Sequence, residues 1–131
     1  QKVLREKVPV LGICLGMQLL CEFSEENSTQ CLGILPYRVR QFSAENLKVP
    51  QIGWNNIFEL KGKLFQNVPE NSYVYFVHGF YVENGKETVA SCDYGIAYSS
   101  AVEHENFYAV QFHPEKSGEV GAKILENFLK I

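Results

Sequence analysis

The sequence has 131 residues and a mass of 14.9 kDa, which is enough for one hydrophobic core but too little for two ordinary domains. Hydrophobic residues make up 46% of the chain and charged residues 21%, a composition that excludes disordered, collagen-like and coiled-coil proteins. The formal net charge is -3 and the isoelectric point is near 5.6, so the chain lacks the positive surface that nucleic-acid binding requires.

The first predicted elements are a strand and a helix joined by a sharp turn. Residues 8–13 form an aliphatic run with little polar alternation, which is typical of a strand buried on both faces in a parallel sheet. From Leu15 onward apolar residues recur at helical spacing until polar residues at 25–28 end the pattern. Basic residues before this run imitate a secretion signal, but glycines interrupt the run and no cleavage site follows it.

The rest of the chain predicts further strands and one closing helix. Residues 33–70 indicate short strands and loops, with strands at 37–42 and within 49–60. Four stronger strand candidates follow, at 72–78, 88–94, 96–102 and 108–112. Ser117 is expected to cap a final helix whose apolar face comprises Val120, Ile124, Leu125, Phe128 and Leu129. These elements predict an α/β fold.

A cysteine lies between two glycines where the first strand meets the helix. The segment Gly12-Ile13-Cys14-Leu15-Gly16 places a thiol where serine hydrolases place a hydroxyl in their G-x-S-x-G turn. Without side chains at both glycines the backbone can turn sharply, and the helix N-terminus beyond it favours the thiolate. The N–H of Leu15 would then face a developing oxyanion. A buried core cysteine is the alternative, but the paired glycines favour a nucleophile.

A histidine and a glutamate near the C-terminus supply the groups that assist a thiol nucleophile. Pro114 is expected to keep the backbone extended, so that the side chains of His113 and Glu115 project to one side. The carboxylate could then orient the imidazole and stabilise its protonated form. Zinc deaminases share the H-x-E spacing, but they need a P-C-x-x-C segment that does not follow here. We expect neither a metal nor a cofactor.

Two segments closely resemble the signatures of class I glutamine amidotransferases: VLGICLGMQLL at residues 10–20 and AVQFHPEKSG at residues 109–118. Within that family the chain is most similar to the glutaminase subunits of imidazole glycerol phosphate synthase, on residues 16–20, 50–55, 75–78 and 113–118. The resemblance implies a flavodoxin-like α/β sheet with flanking helices, and an enzyme that hydrolyses glutamine to glutamate and ammonia. The four cysteines form no C-x-x-C pair, which fits reduced thiols in a cytoplasmic protein.

The resemblance also implies a role for each site residue. Cys14 would be the nucleophile, His113 the acid and base, and Glu115 the residue that orients the imidazole. The substrate-binding residues would be Leu15, Gln18, His78, Gly79 and Phe80, with Gln18 at the amino-acid end of glutamine. The alternative interpretation of Gln18 is an exposed polar residue on a helix.

In this family the ammonia passes to a synthase partner. The narrower resemblance implies a heterodimer with a (β/α)₈-barrel cyclase that makes imidazole glycerol phosphate, and its partner-facing candidates are Trp54, Asn55, Tyr73 and Tyr75. The segment His78-Gly79-Phe80 looks more like the amidotransferase part of carbamoyl phosphate synthetases. Subunits that serve carbamoyl phosphate, anthranilate or guanylate synthesis therefore stay open as alternatives. A further alternative is an inactive fragment that acts only as a binding module.

Family members carry a further stretch before the nucleophile strand, with the first strands and helices and a glycine-rich oxyanion loop. We therefore expect residues 1–131 to be the C-terminal portion of a glutamine amidotransferase domain that lacks its N-terminal strands and helices. Without that loop the N–H of Leu15 would have no second oxyanion donor beside it, and losing one donor costs about 10²- to 10³-fold in rate. The chain alone could then be inactive.

Overall fold

The computed structural model describes residues 2–45 and 47–131, which form an α/β arrangement of helices around a mixed sheet. In chain order the helices and strands are α1 (Lys2–Glu6), β1 (Val10–Ile13), α2 (Leu15–Leu19), β2 (Phe23–Ser24), β3 (Thr29–Gln30), β4 (Arg38–Gln41), β5 (Gln51–Asn56), β6 (Tyr73–His78), β7 (Phe80–Val82), β8 (Thr88–Asp93), β9 (Ala97–His104), β10 (Phe107–Val110) and α3 (Gly118–Leu129). Short 3₁₀ turns lie at Glu26–Ser28, Lys63–Phe65 and Pro114–Lys116.

The main sheet has the strand order β1-β10-β9-β7-β4-β2-β3, with β8 also paired to β9. The pairs β1–β10 and β2–β4 are parallel, and the other pairs of this sheet are antiparallel. Strands β5 and β6 form a separate antiparallel pair. The predicted α/β fold with flanking helices is therefore confirmed.

The sheet separates two clusters of apolar side chains because successive residues of a strand point to opposite faces. On β10, Tyr108 and Val110 pack into a cluster that includes Ile124 of α3. Phe107 and Ala109 pack on the other face, in a cluster that includes Met17 of α2. Helix α2, which follows β1, and helix α3, near the C-terminus, thus cover opposite faces of the sheet.

The strand before the cysteine differs from its prediction. Strand β1 begins at Val10 rather than Val8, and its four residues are only half-buried. Among the described strands β1 pairs with β10 alone, at the end of the strand order, and this pairing is parallel, as predicted. Because all four residues are half-buried, the expectation of a strand buried on both faces is wrong. An edge strand keeps one side of its backbone unpaired, which local sequence does not reveal.

The helices also differ in detail from their predictions. Helix α2 is a single turn of five residues. The helical apolar spacing continues to Phe23, but Phe23 belongs to β2. Helix α3 buries Ile124 as predicted, but Leu129 is 82% exposed and lies outside the apolar face. Ser117 precedes α3 without capping it through its side chain. No helix in the described part of the chain is long and apolar enough to cross a membrane.

Candidate active site

Cys14 lies in a strained turn between β1 and α2. Its φ of 55° and ψ of -108° place a non-glycine residue in a sparsely populated backbone region, which costs about 1–3 kcal/mol. A Cβ added at Gly12 would lie 2.9 Å from the carbonyl carbon and oxygen of Gly16, so only glycine fits there. A Cβ added at Gly16 would meet nothing within 4 Å. The predicted steric need for glycine is therefore confirmed at Gly12 and wrong at Gly16.

Parallel pairing places Cys14 beside Gln111. Ile13 is in register with Val110, and the N–H of Cys14 donates to the Val110 carbonyl at 2.8 Å. The next residues along the two strands, Cys14 and Gln111, therefore lie side by side. The Gln111 side chain donates from Nε2 to the Cys14 sulfur at 3.7 Å. The Cys14 thiol in turn donates to the Val77 carbonyl on β6, at 3.6 Å.

The Cys14 thiol is held in its protonated form. Burial raises its pKa above the ordinary value of 9.0, and the charges of Glu115 and Glu26 add to that effect. Hydrogen bonds from the Leu15 backbone N–H and the Gln111 side chain oppose the rise without cancelling it. The first N–H of α2 favours the thiolate, as expected, but desolvation outweighs it, so the net shift of the Cys14 pKa is upward.

His113 and Glu115 form a hydrogen-bonded pair, with Nδ1 of the imidazole 2.8 Å from Oε1 of the carboxylate. The contact was expected, but the backbone reason for it was wrong. Pro114 opens a turn of 3₁₀ helix at Pro114–Lys116 instead of keeping the chain extended. The turn folds the Glu115 side chain back onto the imidazole, which fixes Nδ1 as the protonated nitrogen and leaves Nε2 as the acceptor in a neutral ring.

Strand β6 connects the histidine with the cysteine. The N–H of His113 donates to the Tyr75 carbonyl at 3.0 Å, and the Val77 carbonyl that accepts from Cys14 lies two residues further along the same strand. Carbonyls two residues apart in a strand point the same way and are about 7 Å apart. Ser117 strengthens this connection because its hydroxyl donates to the His113 carbonyl at 2.6 Å and accepts from the Tyr75 N–H at 3.0 Å.

A cavity of about 230 Å³ opens beside the sulfur. Its lining residues are Cys14, Leu15, Gln18, Glu26, Val77, His78, Gly79 and Phe80. The structure thus brings every predicted substrate-binding residue to the same cavity as Cys14, while His113 and Glu115 lie outside this lining. Sequence reasoning missed Glu26, Val77 and Gln111. Glu26 lies in the polar run that was interpreted only as the end of a helix, and Gln111 lies inside the second family signature without an assigned role.

Gln18 is a buried residue of the cavity wall, with only 5% of its surface exposed, so the alternative of an exposed helix residue is wrong. Its Nε2 donates to the Phe80 carbonyl at 3.1 Å and to Oε1 of Gln111 at 3.0 Å. Both amide hydrogens are thereby used within the protein. Its Oε1 accepts no hydrogen bond from the described residues and is the atom left to meet a ligand.

His78 forms part of the wall as a neutral imidazole. Burial lowers its pKa to about 4, the Phe80 carbonyl opposes that shift, and the charge of His113 adds to it. Nδ1 lies 2.7 Å from the Phe80 carbonyl, and Nε2 contacts the side chains of Gln51 at 2.8 Å and Tyr98 at 3.1 Å. Because both nitrogens are engaged inside the protein, His78 shapes the cavity by holding the Phe80 carbonyl.

The predicted partner-facing residues lie on the β5–β6 pair. Trp54 is 56% exposed and Tyr73 is 59% exposed, and the Trp54 ring packs against Tyr75 at 5.9 Å between centroids. Ile52 is also exposed and pairs across the strands with Val77, whose carbonyl meets the Cys14 thiol. An exposed apolar surface therefore continues from this pair of strands to the cavity. Within residues 2–45 and 47–131, no group of three His, Cys, Asp or Glu side chains is arranged to hold a metal ion.

Comparisons with known proteins agree on one family. The family described as Glutamine amidotransferase class-I matches residues 1–131. The imidazole glycerol phosphate synthase subunit HisH of Bacteroides fragilis is 51% identical over 94% of this chain and 64% of its own length. The HisH subunit of Buchnera aphidicola is 49% identical over 98% of this chain and 67% of its own length. The chain therefore spans about two thirds of the length of these relatives.

A solved structure of a glutamine amidotransferase from Thermotoga maritima has the same fold. It superposes with a TM-score of 0.64 at 23% sequence identity, over 98% of this chain and 48% of that structure. At this level of identity the likeness concerns the fold alone. It agrees with the mixed sheet and flanking helices described above.

Proposed function

Because this chain belongs to the class-I glutamine amidotransferase family, we propose that it acts as the glutaminase part of imidazole glycerol phosphate synthase in histidine biosynthesis. It would hydrolyse glutamine to glutamate and ammonia, and the ammonia would pass to a cyclase subunit. One observation carries the proposal: the thiol of Cys14, on its strained turn, opens into a cavity whose wall contains Gln18, Gly79 and Phe80.

The first half of the reaction forms a thioester. His113 takes the proton of the Cys14 thiol, and the sulfur attacks the side-chain amide carbon of glutamine. The N–H of Leu15 stabilises the negative oxygen of the tetrahedral intermediate. His113 then gives its proton to the amide nitrogen, the carbon–nitrogen bond breaks, and ammonia leaves. Glu115 stabilises the positive imidazolium between these two proton transfers.

The second half of the reaction releases glutamate. His113 takes a proton from a water molecule, whose oxygen attacks the thioester carbon. The carbon–sulfur bond breaks, and the proton on His113 returns to the Cys14 sulfur. This return matches the resting state, because the raised pKa of the Cys14 thiol favours its protonated form. A base is therefore needed at the start of each turnover, which is the role of the His113–Glu115 pair.

Glutamine fits the charges of the cavity. Its α-ammonium group is complementary to the carboxylate of Glu26, which lines the same cavity as Gln18. The Oε1 atom of Gln18 is available to accept a hydrogen bond from that ammonium group. The sulfur lies at the other end of the substrate, where the side-chain amide reacts. This arrangement selects an amino acid with a free amino group over a simple amide.

The cyclase would dock on the exposed face of the β5–β6 pair. Apolar side chains on this surface include Ile52, Trp54 and Tyr73, and contiguous apolar surface of this kind marks protein interaction sites. Because Val77 belongs both to this surface and to the wall around Cys14, a partner seated here would lie beside the point where ammonia forms. A cytoplasmic location is supported by the four free thiols.

The test measures glutamate release by the purified protein with and without imidazole glycerol phosphate cyclase. We expect release that increases when the cyclase is present, and no release from Cys14→Ala. The matched control is Cys31→Ala, which replaces a half-buried thiol outside the catalytic turn and should retain wild-type activity. Equal turnover by Cys14→Ala and wild type would contradict the mechanism. Stimulation of a guanylate, anthranilate or carbamoyl phosphate synthase instead of the cyclase would contradict the proposed partner.

A further inference from the structure

One buried amide connects the nucleophile with the substrate-binding residue Gln18. The Gln111 side chain has no exposed surface, donates from Nε2 to the Cys14 sulfur at 3.7 Å, and accepts at Oε1 from Gln18 at 3.0 Å. Its backbone is fixed as well, because its N–H donates to the Ser100 carbonyl at 2.8 Å. The mechanism above uses Cys14 and Gln18 but assigns no role to the group between them.

We propose that Gln111 is a positioning residue that holds the Cys14 sulfur and the Gln18 amide in a fixed relation through its single side-chain amide. The catalytic consequence rests on the proposed glutaminase function, whereas the hydrogen-bonded bridge itself does not. The bridge follows from the register of β1 and β10, which places residue 111 directly beside residue 14 where the two strands end.

The two ends of the Gln111 amide have separate effects. At one end the N–H favours the negative sulfur, since a donor to an ionised group is stronger than a neutral hydrogen bond. At the other end the carbonyl oxygen accepts from Gln18, which keeps the Gln18 amide nitrogen turned inward and leaves its Oε1 for a ligand. Loss of the first effect changes the ionisation of the thiol, and loss of the second changes substrate affinity.

The groups that face Cys14 make this donor important. The carboxylates of Glu26 and Glu115 disfavour the thiolate by charge, and the Val77 carbonyl accepts only from the protonated thiol. Among the described neighbours, the groups that favour the negative sulfur are the Leu15 backbone N–H and the Gln111 side chain. Of these two, the Gln111 side chain can be replaced without changing the backbone of the turn.

Two variants separate the two ends of the amide. Gln111→Glu keeps an acceptor oxygen for Gln18 but replaces the donor to the sulfur with a carboxylate oxygen, whose charge also disfavours the thiolate. Gln111→Met removes both the donor and the acceptor and adds no charge. The rate of Cys14 alkylation by iodoacetamide, measured by mass spectrometry at fixed pH below the thiol pKa, should fall about 3- to 10-fold in Gln111→Met and at least as much in Gln111→Glu. Cys31 in the same molecule serves as the internal reference. Gln66→Leu, which replaces an exposed glutamine, is the matched control and should react at the wild-type rate.

Steady-state kinetics supply the second readout. The KM for glutamine should rise about 10-fold in Gln111→Met, because the Gln18 amide loses its acceptor, and should change less in Gln111→Glu. Alkylation of Cys14 needs no glutaminase activity, so the two hypotheses fail separately. Slower alkylation in both variants of a protein that releases no glutamate would refute the proposed function and retain the bridge. Wild-type alkylation in both variants of an active protein would refute the bridge alone.

Alkylation of the buried Cys21 and Cys92 would reveal a variant that does not fold. In that case the proposal is tested by a measurement on the unsubstituted protein. The side-chain NH₂ resonances of Gln111 should shift with pH at the same midpoint as the Cys14 alkylation rate, because one of these hydrogens faces the sulfur. The shift should disappear in Cys14→Ser. Gln111 resonances that do not change as the thiol ionises would overturn the proposal.

Discussion

His78 makes the stability of this protein depend on pH in a way that can be calculated. The imidazole is buried among Phe42, Phe76 and Tyr98, whose ring centroids lie 5.3, 5.4 and 5.3 Å from its own. Burial lowers the His78 pKa to about 4, against about 6.5 for an exposed histidine. Each pKa unit corresponds to about 1.4 kcal/mol, so the difference corresponds to about 3 kcal/mol of unfolding free energy.

The sign follows from proton binding. Between pH values of about 6.5 and about 4 the unfolded chain binds a proton at His78 and the folded protein does not, so acidification favours unfolding. The His78 contribution is fully present above the unfolded pKa and is lost as the pH falls to the folded pKa. Below both values His78 causes no further loss.

Urea denaturation followed by fluorescence across this pH range measures the effect, and two substitutions isolate it. His78→Asn cannot titrate but keeps a donor near the Phe80 carbonyl; it should be less stable than wild type at neutral pH, by a margin that shrinks by about 3 kcal/mol on acidification. The matched control, His104→Asn, replaces a half-buried imidazole at the end of β9 and should follow the wild-type curve. Parallel curves for wild type and His78→Asn would refute the reasoning, because another group would then cause the acid sensitivity.

Three further predictions concern the turn and its support. Gly12→Ala should lower the unfolding free energy by about 1–3 kcal/mol in urea denaturation, because the new Cβ overlaps the Gly16 carbonyl, whereas Gly16→Ala should change it by less than about 1 kcal/mol. The alkylation rate of Cys14 should keep rising as the pH passes 9.0, because burial raises the pKa of its thiol; a plateau near neutral pH would contradict this. Ser117→Ala should cost about 1–3 kcal/mol in the same denaturation assay and reduce glutamate release, because it leaves the Tyr75 N–H without its hydroxyl partner.

The sequence by itself determined the features that depend on neighbours along the chain. A Cβ at Gly12 would overlap the carbonyl of Gly16, which is only four positions along the chain. The turn that contains Cys14 could therefore be predicted from local sequence. His113 and Glu115 are two residues apart and meet within one turn, so their contact was predictable even though the backbone conformation that produces it was not. Strands β6, β8, β9 and β10 carry the β-branched and aromatic residues that predict them, whereas β7 was not predicted.

Only the tertiary structure decided what surrounds the sulfur. The hydrogen bonds of Gln111 join residues 97 and 93 positions apart, and they exist because β1 and β10 pair in one particular register. Glu26 lines the cavity although its sequence context indicated only the end of a helix, and burial outweighs the nearby helix turn in raising the pKa of Cys14. Local spacing encodes neither register nor desolvation, since both depend on which distant segments pack together.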